Sequence, residues 1–244
     1  MLLLMFSASN LKAQQSTDVL ILNNNVGARL ITSDQSVFWG NLSFNTSTNE
    51  FFFWNQTEFA LGYQYEAKEY MDFTGSVYVN HVNQDKELMS NELRFTLGFR
   101  IFRPTRYRFK VSNFSRLEAR LLYFSDDQDN EAFRFRNLTH LFYSLNRTGL
   151  DQDKNFIIYG AAEWFANSEI VRERFFNLFK AKLALAYRHN AQYYFDLGLV
   201  YQDTRDETGE PVVLPTDFNT DLLLEWRFVM SFFSKKMLEV DPSF

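Results

Sequence analysis

Cysteine is absent from this chain of 244 residues, so a disulfide framework, a thiolate zinc site and a thiol nucleophile are all excluded. Glycine and proline are scarce, with 9 and 4 residues, and no stretch rich in proline, glycine and serine divides the chain. We therefore expect a single structural unit, which this length permits. The formal net charge of -5 argues against a nucleic-acid partner, because backbone binding requires a clustered excess of lysine and arginine.

Long apolar runs are also missing. Beyond the first residues no segment approaches the roughly 18 consecutive apolar residues of a membrane-spanning helix, and charged residues make up 23% of the chain. Aromatic residues, by contrast, are abundant, with 28 Phe, 12 Tyr and 4 Trp, which is more than one soluble core needs. Any membrane-spanning part would therefore have to consist of strands.

The N-terminal residues 1–13 are typical of a secretory signal peptide. An apolar run from Met1 to Ala8 precedes a short polar segment, and this segment ends at Ala13, a small residue suited to cleavage. The basic residues that usually begin such a signal are missing. An ordinary apolar terminus is therefore the alternative interpretation.

Alternation of apolar and polar residues is the strongest pattern in the chain. In the segment 92–102 one face is apolar and the other carries charge, as expected for a strand whose faces meet different environments. Comparable runs occur near 36–45, 51–66, 70–83, 89–102, 105–124, 131–146, 154–165, 173–189, 191–203 and 217–233. The pattern predicts about ten antiparallel strands within residues 35–233.

The length of these runs bears on the environment of the strands. Most runs exceed the roughly 5 to 6 residues of an ordinary soluble strand and suffice for a tilted strand to cross a bilayer. Aromatic residues such as Tyr107, Tyr123 and Tyr201 stand near the ends of the apolar faces, as in interfacial girdles. A soluble β-sandwich or lipocalin-like barrel also alternates. Strand length favours the all-β fold of a transmembrane antiparallel up-and-down β-barrel.

Two segments fall outside the predicted runs. Residues 14–34 form either an N-terminal arm or an extra hairpin, and the hairpin would raise the number of strands to twelve. Residues 234–244 form a C-terminal tail. Both segments are candidate contact sites for other proteins of the envelope.

Charged residues on the polar faces would line the lumen if the apolar faces met lipid. A barrel of this size is narrow enough for side chains to fill it. One interpretation is a ladder in which glutamates neutralise the arginines; the other is a pocket whose arginine forks bind a phosphate or carboxylate group. The candidate ligand-binding residues in the lumen are Arg116, Glu118, Arg120, Arg134, Arg136 and His140.

Signals for catalysis and for metal binding are weak. The chain has three His, and the predicted strand order keeps His81, His140 and His189 apart. His140 could pair with a serine or a carboxylate on a neighbouring strand, but the spacings of metalloproteases, serine hydrolases and P-loops are missing. The acidic residues lack the spacing of an EF-hand. We expect no catalytic residue, no metal and no cofactor.

Three segments resemble a known family, the domain-of-unknown-function family 2490. The segment SRLEARL at 115–121 contains an Arg-x-Glu-x-Arg strand, and FRFRNLTHLFYSL at 133–145 contains an Arg-x-Arg strand. In the segment 175–202 a strand ending in a Tyr-Arg pair turns into one with a Leu-Gly-x-x-Tyr pattern, which is similar to the family's late hairpin. The resemblance covers most of the chain beyond about residue 51. It implies a small bacterial outer-membrane β-barrel and carries no known reaction or ligand.

These observations together predict a barrel in the outer membrane of a Gram-negative bacterium, surrounded by outer-membrane lipid. We expect a non-enzymatic component of the envelope that binds a ligand or serves as a structural partner. A narrow anion-preferring channel is the alternative. An envelope enzyme that hydrolyses lipid or peptide ranks last.

Overall fold

The computed structural model describes residues 20–47, 54–84, 88–103, 107–125, 130–168, 179–203 and 220–233. These parts contain the strands β1 (Leu20–Ser33), β2 (Ser36–Ser47), β3 (Trp54–Lys68), β4 (Met71–Gln84), β5 (Leu88–Phe102), β6 (Phe109–Phe124), β7 (Asn130–Ser144), β8 (Asn155–Asn167), β9 (Phe179–Arg188), β10 (Tyr193–Asp203) and β11 (Thr220–Phe233). No helix in the described residues is long and apolar enough to cross a membrane. The predicted signal peptide at 1–13 and tail at 234–244 lie outside this description.

The strands close into one barrel. Strands that follow each other in the chain are paired and antiparallel, and β1 closes the barrel against β11. This closing pair is parallel, with Leu20 opposite Leu222 and Ile31 opposite Phe233. The direction follows from the count, because an odd number of strands joined by hairpins leaves the first and the last running the same way.

The predicted all-β barrel is confirmed, and each of the ten predicted runs corresponds to one strand from β2 to β11. The barrel nevertheless has eleven strands rather than ten or twelve, and the expected antiparallel order does not hold between β1 and β11. The difference lies in residues 14–34. Leu20–Ser33 forms neither a hairpin nor a free arm, because its backbone pairs with β2 along one edge and with β11 along the other.

Alternation along each strand separates an apolar outer face from a polar inner face, since successive side chains point to opposite sides of a sheet. On β5 the outward residues Phe95, Leu97 and Phe99 are exposed, and Leu97 has 73% of its surface accessible. The inward residues Glu92 and Arg94 on the same strand are buried. The core of this barrel is therefore polar, and its large apolar side chains face outward.

Among the described residues, two apolar clusters interrupt this polar interior, and the larger one includes Leu150. It lies at the turn end of the barrel, which we define as the end holding the connections at 34–35, 69–70, 145–154 and 189–192. The connection between β7 and β8 brings Leu150 against inward residues of β8 and β9. Ser144 Oγ donates to Asn155 Oδ1 at 2.7 Å, and Asn155 Nδ2 donates to the Gly149 carbonyl at 2.9 Å. These bonds fix the connection in place.

Candidate functional site

The lumen encloses a cavity of about 640 Å³ that is lined by side chains from all eleven strands. Its lining differs from one side to the other. Arginines and glutamates dominate on β5 to β8, whereas asparagine, glutamine, serine and threonine dominate on β1 to β4. The candidate site is therefore a polar chamber with a charged wall and an uncharged wall.

The centre of the charged wall is Glu118 on β6, of which 1% is exposed. The strand register places Arg134 directly opposite Glu118, and Arg116 opposite Arg136. The Glu118 carboxylate lies 2.6 Å from Arg134 Nη2, 3.0 Å from Arg136 Nη1 and 3.3 Å from Arg116 Nε. One buried carboxylate thus holds three guanidinium groups.

Glu163 on β8 extends this arrangement across the next strand. Arg136 donates to it in a bidentate fork, from Nε to Oε1 and from Nη2 to Oε2, both at 2.9 Å. Arg116 Nη2 donates to Glu163 Oε1 at 2.9 Å. Planar forks of this kind are the strongest arginine–carboxylate contacts. Arg116 and Arg136 therefore bridge two carboxylates each.

Glu92 on β5 binds the other side of the wall. Arg94 forms a second bidentate fork with it, at 2.8 and 2.7 Å, and Arg120 Nε donates to Glu92 Oε1 at 2.5 Å. Arg94 also reaches Glu58 on β3 at 3.5 Å. We call the charged wall formed by Glu58, Glu92, Arg94, Arg116, Glu118, Arg120, Arg134, Arg136 and Glu163 the ion-pair lattice.

A smaller group of charges lies on β9 to β11. Asp196 accepts from Arg227 Nε at 2.7 Å and from the Tyr159 hydroxyl at 3.0 Å. Lys182 Nζ is 3.2 Å from Asp196 and 2.8 Å from Glu225. These contacts pair both Lys182 and Arg227 with carboxylates.

Side-chain amides satisfy one another along the uncharged wall. Asn41 Nδ2 donates to Asn25 Oδ1 at 3.0 Å, and Asn45 Nδ2 donates to Gln56 Oε1 at 2.9 Å. Gln56 in turn donates to Asn80 at 2.9 Å. These amide contacts join β1 to β2, and β2 to β3 and β4, along a wall with few charged groups.

The structure brings together five of the six residues that the sequence singled out, and separates the sixth. Arg116, Glu118, Arg120, Arg134 and Arg136 all belong to the ion-pair lattice, which corresponds to the ladder interpretation of the charged faces. His140 lines the same cavity but lies outside the ion-pair lattice, with its ring 5.2 Å from that of Phe142 and 6.1 Å from that of Tyr159. Its surroundings are those of a packed aromatic residue.

Basic residues outnumber acidic ones on the described inner faces. The basic residues are Arg29, Arg94, Arg100, Lys110, Arg116, Arg120, Arg134, Arg136, Lys180, Lys182, Arg188 and Arg227. The acidic residues are Glu58, Glu66, Asp72, Glu92, Glu118, Glu163, Asp196 and Glu225. The lumen therefore has a positive balance inside a chain whose formal net charge is -5.

One lumen residue that the sequence reasoning missed is Arg29 on β1. It lines the cavity but belongs to the segment that was assigned to an arm or a hairpin. The alternation of Asn25, Gly27 and Arg29 with Val26 and Ala28 was the available signal. No group of three or more His, Asp or Glu residues that could hold a metal ion occurs among the described residues.

These features define a closed β-barrel whose narrow interior is polar and ion-paired. A family model described as "Protein of unknown function (DUF2490)" matches residues 24–212. The chain belongs to this family, as the resemblance of its strand motifs indicated. No curated protein and no solved structure matches the chain.

Proposed function

We propose that this chain is an outer-membrane β-barrel of a bacterial envelope, and that it binds a polar ligand in its lumen without catalysing a reaction. The observation that carries the proposal is the combination of an apolar exterior with an enclosed polar cavity. Pairing of both β1 edges leaves no free strand edge in the described barrel, and closure of this kind is the form in which strands cross a bilayer.

The exterior supports the membrane part of the proposal. Large apolar side chains are exposed on strands around the whole barrel, including Leu61, Leu97, Leu117, Phe133, Leu183 and Leu197. A monomer surrounded by water rarely exposes so extensive an apolar surface. In a bilayer this apolar surface would contact lipid instead of water, and acyl chains are as apolar as leucine.

Tyrosines near the turn end support the same placement. Exposed tyrosines occur on or beside strands from β3 to β7, namely Tyr63, Tyr65, Tyr70, Tyr107 and Tyr143. Tyrosine is enriched where a membrane meets water, because its ring is apolar and its hydroxyl is wet. The group therefore fits an aromatic girdle at one interface of the bilayer.

The interior favours ligand binding over an open pore. The ion-pair lattice joins β3 with β5, β6, β7 and β8 along the charged wall of the lumen, and the cluster around Leu150 occupies part of the turn end. Barrels that leave an open aqueous channel usually have more strands, about 16 to 18. A narrow anion-preferring channel is the competing function, and the positive balance of the lumen is the observation in its favour.

The membrane part is tested by arginine substitution on the outer face. In a bilayer, Leu97→Arg should lower the free energy of unfolding by about 2–4 kcal/mol if residue 97 lies near the midplane. Tyr70→Arg, in the turn between β3 and β4, is the matched control and should cost about 1 kcal/mol or less. A neutral effect of Leu97→Arg, together with recovery of the protein in the soluble fraction, would refute the membrane placement.

Conductance recordings in planar bilayers distinguish the ligand-binding function from the channel function. The reconstituted wild-type barrel should show no steady conductance, because the ion-pair lattice and the apolar cluster at the turn end narrow the lumen. Steady conductance that favours anions and falls when Arg29 or Arg100 is replaced by Gln would establish the channel instead. Fractionation of native membranes by density tests the compartment, and recovery with the inner membrane would contradict the outer-membrane assignment.

A further inference from the structure

The turn end of the lumen holds basic residues that the ion-pair lattice does not neutralise. Arg29 on β1 and Arg100 on β5 both line the cavity. Arg100 Nη1 lies 3.8 Å from Asp72 Oδ2, at the far limit of an ion pair, and 34% of the Arg100 side chain is exposed to the lumen. No ion pair with a described carboxylate is formed by Arg29.

The charges around Arg29 are mostly of its own sign. Arg100, Arg188 and Arg227 repel its guanidinium, and Asp72 is the acidic residue that attracts it. Lys110 on β6 belongs to the same group, because Arg29, Arg100 and Asp72 all act on its charge. Two carboxylates, Asp72 and Glu66, thus face a larger number of basic groups, and an anion placed among those basic groups would reduce the repulsion.

Three unpaired hydroxyl groups lie next to this basic group on β4 and β5. Thr74, Ser76 and Thr96 are 8%, 9% and 3% exposed, and all three line the cavity. Their hydroxyl oxygens have no hydrogen-bond partner among the described residues. Ser76 lies directly opposite Thr96, and Thr74 lies opposite Gly98, two residues before Arg100.

We propose that this end of the lumen binds a small molecule carrying a phosphate or carboxylate group, held between Arg29 and Arg100. The inference rests on the proposed ligand-binding function and names the chemistry of the ligand. The two guanidinium groups supply planar donor forks for the oxyanion. The hydroxyls of Thr74, Ser76 and Thr96 donate to further oxygen atoms of the ligand, which satisfies buried groups that otherwise lack partners.

The ion-pair lattice explains why the site lies here. The guanidinium groups of Arg116, Arg134 and Arg136 already contact Glu118 and Glu163. An anion would have to break those contacts in order to bind these arginines. Arg29 and Arg100 need no such rearrangement. The uncharged wall beside them provides room for the neutral part of the ligand.

Calorimetric titration of the full chain in an uncharged detergent tests the proposal. The probes are inorganic phosphate and glycerol 3-phosphate, which distinguish a free phosphate from one carried on a lipid headgroup. One equivalent should bind, and Arg29→Gln and Arg100→Gln should each weaken binding about tenfold, since a charged hydrogen bond of at least 1.4 kcal/mol is lost. Tighter binding of glycerol 3-phosphate would identify the headgroup as the source.

Arg108→Gln is the matched control, because Arg108 is exposed at the turn end and donates to the Arg147 carbonyl instead of lining the cavity. It should leave binding unchanged. Absence of binding to the wild type would overturn the proposal, and so would an equal loss in all three arginine variants. Thr74→Val gives a second test if an arginine variant fails to fold, and it should weaken binding without changing the lumen charge.

The two proposals fail in different ways. If Leu97→Arg is destabilising in a bilayer and the barrel binds neither probe, the oxyanion site is wrong and the membrane barrel stands. If the protein binds phosphate but Leu97→Arg is neutral and the protein is soluble, the oxyanion site stands without the membrane placement. A heat signal that does not saturate with either probe would mean that neither probe binds in the lumen, and it would overturn the oxyanion site.

Discussion

Replacement of Glu118 by glutamine should destabilise the barrel, whereas the same replacement of an exposed glutamate on the neighbouring strand β7 should not. Glu118→Gln keeps the size of the side chain and removes its charge. Arg116 and Arg136 would then keep one acidic partner, Glu163. Arg134 would lose the carboxylate that lies 2.6 Å away.

The size of the expected loss in unfolding free energy follows from the burial of the Glu118 carboxylate. Removing one member of a buried ion pair costs about 3–5 kcal/mol, because it leaves an uncompensated charge. Glutamine still accepts a hydrogen bond through its amide oxygen, so the loss should lie near the lower limit, about 3 kcal/mol. This corresponds to roughly a hundredfold change in the ratio of folded to unfolded protein.

Urea titration in detergent micelles, followed by tryptophan fluorescence, measures the effect. A loss of about 3 kcal/mol should move the midpoint by about 1–3 M urea. The matched control is Glu131→Gln on β7, whose side chain is exposed and which should change the free energy of unfolding by about 0.5 kcal/mol or less. If both variants have the same midpoint, the ion-pair lattice does not stabilise the barrel.

A double substitution tests whether the cost comes from the unpaired guanidinium. Arg134→Met should be less destabilising in the Glu118→Gln background than in the wild type, because Arg134 then has no carboxylate to lose. The coupling free energy should be about 0.5–3 kcal/mol. Additive effects of the two substitutions would refute this origin of the cost.

Two further substitutions probe the packing of the interior. Leu150→Ala should lower the free energy of unfolding by about 2–5 kcal/mol, because Leu150 packs inside the apolar cluster of the turn end. Thermal unfolding measures the change. An effect below about 1 kcal/mol would contradict the role of Leu150 in this cluster. Gly62→Ala should shift the tryptophan emission and cost about 1–3 kcal/mol, since an added Cβ would clash with the Trp39 ring. Gly160→Ala is the control, because its added Cβ would lie 3.8 Å from the Lys182 carbonyl oxygen.

Strands β2 to β11 could be predicted because long alternation is a direct consequence of a sheet with unlike faces. In β5, for example, Phe95, Leu97 and Phe99 alternate with Arg94 and other polar residues without interruption. β1 carries a weaker signal. Its outward face includes Asn24 and Ala28 among apolar residues, and its inward face includes Gly27, so the contrast between the faces is small.

The sequence predicts which charged residues share the inner face of the barrel, but it does not predict which arginine pairs with which glutamate. The residue types showed that Arg116, Glu118 and Arg134 share one face. Which arginine meets which glutamate depends on the register between strands, and that register is set by turns and by packing around the barrel. Arg29 and Arg100 come close only because β1 closes the barrel, so no local pattern indicated that they share one end of the lumen.

The proposed membrane placement requires that the apolar face of the strands meets lipid. Because the chain has no cysteine, single substitutions to cysteine from Ser76 to Asn80 on β4 allow one nitroxide label at a time in reconstituted vesicles. The labels at Val77 and Val79, which face outward, should be accessible to oxygen and protected from a water-soluble nickel reagent. The labels at Ser76 and Asn80 should show the reverse. Equal access of the nickel reagent to both faces would contradict a barrel embedded in a membrane.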